Sequence, residues 1–503
     1  MFRPGQLVRG TVVNAAAAVA STVLNLTLTG VLAQGLTRDQ FGTWAFLMVL
    51  TFNQGYFALL DGGMSVSALR NVVRLRHSGD DPSAAGVLAT LRFHYMVVSV
   101  AGSFMVLLMG GMLLRVGGAQ IRGTTQTIVL AAVAVRLLTD TLHSSNMVLL
   151  EAGSMFGRMR AIEISTLSTW TLLAFVVVRN DGGMGLLAVA YLANGAFQLV
   201  VSSISVHRIE PRPRQYFRWS RSIAADLWST GKWVALQRIW AVIYAQMDRT
   251  ILAVILGVTL VGDYEIPYKF QAMGVLILSV FSSAIFPVVA KLDPSRDRDQ
   301  LVRLFHRATR WTVGLSIPMM LSGIFLSGAL IDLWLGSSFE HLSGSVSLFL
   351  LWPVIASFHV VGSSILSGLG RTKELFVLAS LSIIANLILS LALARSMGIN
   401  GVILGTVIGY AVVFFPYLKV ELEHFGSGLL TWIRMVALPV LPAVCVQLPL
   451  LMFVRAQWVD GWSSLAAVAF GGLSTLVGWA VFVIFEPDFR ATGSLRKALS
   501  FGA

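Results

Sequence analysis

The sequence predicts an all-α, polytopic membrane protein of about fourteen transmembrane helices, and three observations carry that expectation. Of 503 residues, 56% are hydrophobic and only 12% charged, about half the charge of a soluble domain, which carries about 25%. The hydrophobic residues fall in runs of roughly 20, the length that crosses about 30 Å of hydrocarbon at 1.5 Å per residue. Lysine and arginine gather in the short segments between those runs, the placement that sets topology in a bilayer. The net charge of +13 therefore reads as a positive-inside bias, and no nucleic-acid partner is expected.

The first run, 11–33, follows Arg3 and Arg9 and includes Ala15 to Ala20, which resembles a signal peptide. Its apolar stretch continues to Ala33, past any short signal core, and the alternation of the later loops needs it. It reads as an uncleaved first span. Spans follow at 41–60, 91–114, 125–150, 162–178 and 184–206, closing an N-terminal lobe over 1–206. Residues 207–231, with Pro211 and Pro213 among arginines, read as a cytoplasmic basic linker. A second lobe over 232–425 holds spans at 232–257, 266–290, 311–331, 344–366, 374–394 and 399–420. Spans 434–454 and 463–485 with a tail complete residues 426–503. With both termini cytoplasmic, the segments outside hold only Arg38, Arg115, Arg122, Arg179, Arg395 and Arg455 among the 37 lysines and arginines. A missed span would scramble that bias. The single cysteine, Cys445, lies in an apolar run, so no intrachain disulfide can form.

Two stretches repeat. Leu32-Ala33, Leu36 and Gly42-Thr43-Trp44 align without gaps on Leu252-Ala253, Leu256 and Gly262-Asp263-Tyr264, at an offset of 220. Gly157-Arg158 and Met184-Gly185 align on Gly370-Arg371 and Met397-Gly398 at 213. Six spans per half is an even number, so the copies share orientation, as in a parallel repeat. Two such lobes with a cleft between them imply a transporter working by alternating access.

Four motifs in order resemble the polysaccharide and O-antigen flippases of the multidrug/oligosaccharidyl-lipid/polysaccharide exporter superfamily. They are Gly35-Leu36 with Phe41-Gly42-Thr43-Trp44; Leu60-Asp61-Gly62-Gly63-Met64-Ser65 through Arg70; Gln246-Met247-Asp248-Arg249-Thr250-Ile251-Leu252 with Gly262-Asp263-Tyr264; and Gly368-Leu369-Gly370-Arg371-Thr372 through Asn386-Leu387, Gly398-Ile399-Asn400-Gly401 and Gly405-Thr406. The resemblance implies a twelve- or fourteen-helix fold with a V-shaped cleft, and undecaprenyl-diphosphate-linked sugars as substrates. It implies a bacterial cytoplasmic (inner) membrane location, membrane lipids as surroundings, and a polymerase or glycosyltransferases of the same pathway as candidate protein partners. The alternatives are a cation-coupled multidrug exporter of the same superfamily and a membrane polysaccharide polymerase or ligase. The first would favour an acidic, aromatic cleft; the second, a large external loop that this chain lacks.

Ionisable residues inside spans are costly and mark candidate sites. Arg238, Ala241, Ala245 and Arg249 fall on one helical face, with Asp248 on the adjoining stripe. Guanidinium binds phosphate oxygens bidentately and keeps its charge, so Arg238 and Arg249 are the leading diphosphate ligands; the competing reading has Asp248 pair with one of them. Lys269 either binds substrate or snorkels outward. Arg136, Asp140 and His143 share a face: the plain reading is an Arg136–Asp140 pair, the sharper one a proton- or cation-responsive coupling site. Arg70, placed at the end of the second helix, either captures the diphosphate at the inner mouth or anchors topology. Gly401, Gly405 and Gly409 form a stripe for close helix packing. No phosphate-binding G-x-x-x-x-G-K-[ST] loop, zinc-type motif or catalytic domain is present, so neither a cofactor, a metal nor an enzymatic activity is expected.

Overall fold

A computed structural model describes residues 4–52, 55–208, 217–289, 292 and 296–492. Pro211 to Arg214 of the predicted linker, with Arg3, Lys291, Arg496 and Lys497, lie outside them. Among the described residues all regular structure is helical, and the chain divides into two compact units, Met1–Gly262 and Asp263–Ala503.

The first unit holds α1 (Pro4–Gly35), α2 (Arg38–Leu47), α3 (Met64–His77), α4 (Asp81–Val116), α5 (Gly123–Ala152), α6 (Phe156–Arg179), α7 (Gly183–His207), α8 (Arg221–Ile255) and the start of α9 (Val258–Val289). A capping box opens α2: the Gln40 N–H donates to Thr37 Oγ1 at 3.3 Å, and the Thr37 N–H to Gln40 Oε1 at 3.2 Å. Two donors that every helix start leaves unpaired are thus satisfied. Helix α5 packs against α4 and α7, α1 against α6, and α8 against α3 and α4. On α4, Phe104, Leu108 and Met112 are 62%, 64% and 67% exposed. Spaced four apart, they share one face, and an apolar stripe of that size facing outward suits lipid rather than water.

The predicted second span, 41–60, is not one helix. After α2 ends at Leu47 come a 3-10 turn at Met48–Leu50, an extended Thr51 and another 3-10 turn at Tyr56–Asp61. Gly62 and Gly63 then adopt φ of 57° and 72°, a region glycine enters without a Cβ clash. A Cβ on Gly63 would also lie 2.2 Å from the Gly231 carbonyl oxygen of α8. The break is therefore fixed twice, by backbone conformation and by the crossing of α8. As a result Arg70 does not end the second helix: it sits mid-way along the separate α3, on its exposed side.

The second unit holds the rest of α9, then α10 (Arg298–Phe325), α11 (Ser327–Leu335), α12 (Ser343–Ser357), α13 (Val360–Gly368), α14 (Thr372–Met397), α15 (Ile399–Val412), α16 (Phe414–Phe425), α17 (Leu429–Trp432), α18 (Leu441–Val459), α19 (Ser464–Phe485) and α20 (Pro487–Thr492). The tightest pair is α14 with α15. A Cβ on Gly405 would lie 2.3 Å from Ser390 Oγ, and one on Gly409 2.7 Å from the Asn386 nitrogen, so the glycine stripe does serve close backbone approach. Arg310 on α10 is buried with Glu486: its Nε donates to Glu486 Oε1 at 2.9 Å, its Nη1 to the Met435 carbonyl at 3.0 Å and its Nη2 to Asp488 Oδ2 at 2.6 Å. That clasp fixes the end of α19 against α10.

Thirteen of the fourteen predicted segments fall on a helix or on consecutive helices, and the second is the broken one. Among the described residues ten helices are long and apolar enough to cross a bilayer, or eleven if α10 and α11, bent by 71°, are one span. Two of the differences from fourteen have visible causes: the second segment is broken, and α8 carries Arg238, Asp248 and Arg249 within its apolar stretch.

Candidate functional site: two buried charge clusters

The first cluster is built around Asp61, which ends a 3-10 turn and is 1% exposed. Four donors converge on its carboxylate. The Ser65 N–H and the Tyr95 hydroxyl donate to Oδ1 at 3.1 and 2.6 Å, while the Ser65 hydroxyl and Arg238 Nη1 donate to Oδ2 at 2.9 and 2.8 Å. A buried carboxylate is tolerated only when paired and hydrogen-bonded in this way. The double glycine after Asp61 lets α3 start where its first N–H groups face that side chain. Arg238 is different: its side chain is 34% exposed, so the guanidinium is anchored by Asp61 yet still reachable.

Other predicted residues fall nearby or elsewhere. Arg249, 7% exposed, turns back along α8, where its Nη1 donates to the Ala245 carbonyl at 2.9 Å. Asp248 is buried beside it in sequence. Lys269 belongs to the second unit, 3.9 Å from Glu265 one turn earlier on α9. The structure thus places Arg238 and Arg249 in unlike surroundings on one helix, with Arg70 on the exposed side of α3.

The second cluster lies among α5, α6 and α7. Every nitrogen of the Arg136 guanidinium is engaged: Nε with Asp140 Oδ1 at 2.8 Å, Nη1 with the Tyr191 carbonyl at 2.9 Å, and Nη2 with Gln198 Oε1 at 2.6 Å. Its carbon stands 4.5 Å over the Tyr191 ring, a cation–π contact. Gly195 makes this possible, since a Cβ there would lie 2.7 Å from Arg136 Cδ. The i,i+4 pair that the spacing of Arg136 and Asp140 suggests is formed, and His143 lines the same cavity of about 470 Å³.

Sequence reasoning missed Asp61, Tyr95 and Gln198. Asp61 was recoverable as an acid inside an apolar segment, the same signal that singled out Arg238. Its pairing was not, because the partners are 177 positions apart. Among the described residues, no group of three or more His, Cys, Asp or Glu could hold a metal ion.

Long apolar helices enclosing satisfied buried charges define a multi-pass α-helical membrane protein. Residues 31–344 match the family described as "Polysaccharide biosynthesis protein". The chain belongs to that family. It is 25% identical over 263 residues to the "Probable low-salt glycan biosynthesis flippase Agl15" of Haloferax volcanii, covering 51% of this chain and 54% of the relative. It is 24% identical over 226 residues to "Lipid II flippase MurJ" of Bacillus subtilis, covering 43% and 41%. The chain thus spans about half the length, or less, of these curated relatives. Among solved structures, lipid II flippase MurJ in an inward closed conformation superposes with a TM-score of 0.71 at 15% identity, over 95% of this chain and 99% of that one. An inward-facing multidrug resistance MATE family transporter of the MOP superfamily superposes with a TM-score of 0.65 at 16% identity, over 81% and 94%. These likenesses place the fold.

Proposed function

We propose that this protein is a flippase, moving a polyprenyl-diphosphate-linked saccharide across a bacterial cytoplasmic membrane by alternating access, with both termini in the cytoplasm. The observation that carries the reading is Arg238. A diphosphate cannot leave water for hydrocarbon unaccompanied; it needs a cation that is permanently charged, held in place and still accessible. Arg238 meets all three conditions, gripped by a buried Asp61 while a third of its side chain remains open. Membership of a polysaccharide biosynthesis family and the flippase names of relatives support the same reading.

Arg238 and Arg249 are eleven residues apart on α8, about 16 Å along the axis. They would act as successive stations for the diphosphate rather than as one clamp, with exposed Arg70 as the first contact. The sugar's next handlers would be a polymerase or glycosyltransferases of the same pathway. Proteoliposomes carrying a fluorescent polyprenyl-diphosphate oligosaccharide test the proposal. Wild type should equilibrate the glycan between leaflets, and Arg238→Ala should not. Equal rates for wild type and protein-free liposomes would overturn it.

A further inference from the structure

We propose that the cavity among α1, α5, α6 and α7 is a saccharide subsite that takes a neutral, hydroxyl-bearing sugar ring. The proposal deepens the flippase reading and rests on it for the source of the sugar. Three facts point there.

The first is charge. The lining holds two cations, Arg136 and Arg160, and each already has its own acid. Arg136 is paired with Asp140 at 2.8 Å, and Arg160 with Glu163 at 2.6 Å. A bare cation would meet two guanidiniums. A diphosphate would meet the Glu163 carboxylate and find Arg136 with all three nitrogens engaged. Arg136 also occupies the place beside Asp140 that a coupling cation would need. An electroneutral chamber favours an uncharged ligand.

The second is unmet hydrogen bonding. Thr166, Asn194 and His143 line this cavity and are 8%, 2% and 9% exposed, and Thr166 Oγ1, Asn194 Oδ1 and His143 Nδ1, buried in its wall, have no hydrogen-bond partner among the described residues. Buried polar atoms are nearly always paired. A hydroxyl, an amide and an imidazole together ask for a ligand offering both donors and acceptors, as sugar hydroxyls do.

The third is shape. Trp170 and Tyr191 line the same space with ring centroids 5.2 Å apart and planes inclined at 62°. Arg136 already covers one face of Tyr191, so Trp170 is the ring whose partial negative charge is offered to the polarised C–H face of a pyranose. The volume, about 470 Å³, falls in the roughly 300–1,000 Å³ range of small-molecule sites.

Saturation-transfer NMR on the full chain in lipid nanodiscs tests this, with methyl glycosides of glucose, galactose, mannose, rhamnose and N-acetylglucosamine as probes. At least one should receive saturation from the protein. Its signal should fall about tenfold in Asn194→Leu and in Thr166→Val, while sodium chloride and inorganic pyrophosphate leave it unchanged. Two variants guard against misfolding of either, and a thermal melt checks each. Adding polyprenyl-diphosphate N-acetylglucosamine to the nanodisc separates the sources: competition assigns the subsite to lipid-linked sugar, and its absence to free sugar. No transfer to any glycoside, transfer indifferent to both substitutions, or displacement by pyrophosphate would overturn the subsite. Free-glycoside binding needs no flipping, so a protein that binds sugar here but never flips its lipid would sink only the transport reading.

Discussion

Gly42 and Gly262 pack backbone to backbone. A Cβ on Gly262 would lie 2.9 Å from the Gly42 nitrogen, and one on Gly42 would lie 2.1 Å from the Val258 carbonyl oxygen. The two glycines occupy matching positions of the 220-residue repeat. So do Asp39 and Thr259, whose hydroxyl donates to Asp39 Oδ1 at 3.4 Å. The turn from α1 to α2 and the turn from α8 to α9 thus meet along a seam within the first unit.

That seam has no slack. Gly42→Ala should destabilise by about 1–3 kcal/mol, because the atoms it would meet are backbone and cannot swing aside. Thermal unfolding of purified Gly42→Ala should show a clear drop in Tm, and a similar drop for Gly262→Ala. An unchanged melt for both would show that the turns separate freely.

The Asp61–Arg238 pair should respond asymmetrically. Removing Arg238 strands a carboxylate that is 1% exposed, whereas removing Asp61 leaves a guanidinium that can reach water. Breaking fully buried pairs costs about 3–5 kcal/mol. Exposure of Arg238 and the remaining Tyr95 and Ser65 donors should hold the loss below that range. Arg238→Ala should therefore lower stability more than Asp61→Asn does, and the double variant should recover part of the loss. A double-mutant cycle read by denaturant unfolding in detergent checks the sign.

The Arg310–Glu486 pair should behave as a fully buried one, since both side chains are within 2% of complete burial. Glu486→Ala should cost about 3–5 kcal/mol and show up as loss of folded protein on size-exclusion chromatography. Replacing both residues with apolar ones of similar volume should restore much of it.

On the glycine face of α15, Gly409→Val should force α14 away, because the obstacle is the Asn386 backbone at 2.7 Å. A disulfide-trapping rate between cysteines placed on α14 and α15 should fall relative to the parent.

What the sequence made legible follows from the range of the physics involved. Span positions were readable because hydropathy is a local sum, and Arg136–Asp140 because four residues on one helix are neighbours whatever surrounds them. The break at Thr51 to Gly63 was harder. Gly62-Gly63 announced its end, but nothing local marked the extended Thr51, and the crossing of Gly231 over Gly63 is a tertiary event. Arg238 was singled out by charge alone, whereas its partner Asp61 and the Tyr95 hydroxyl required the fold. Arg310 looked like one more cytoplasmic arginine until Glu486 arrived from 176 positions away.

Arg310 changes how the end of the chain should be regarded. Helices α18 and α19 stand outside the repeat read in the sequence and invite trimming in search of a minimal twelve-helix protein. Yet the acid that neutralises Arg310 sits immediately after α19. A version cut short there would keep an orphaned guanidinium deep within α10's packing, so the appendage has become a keystone.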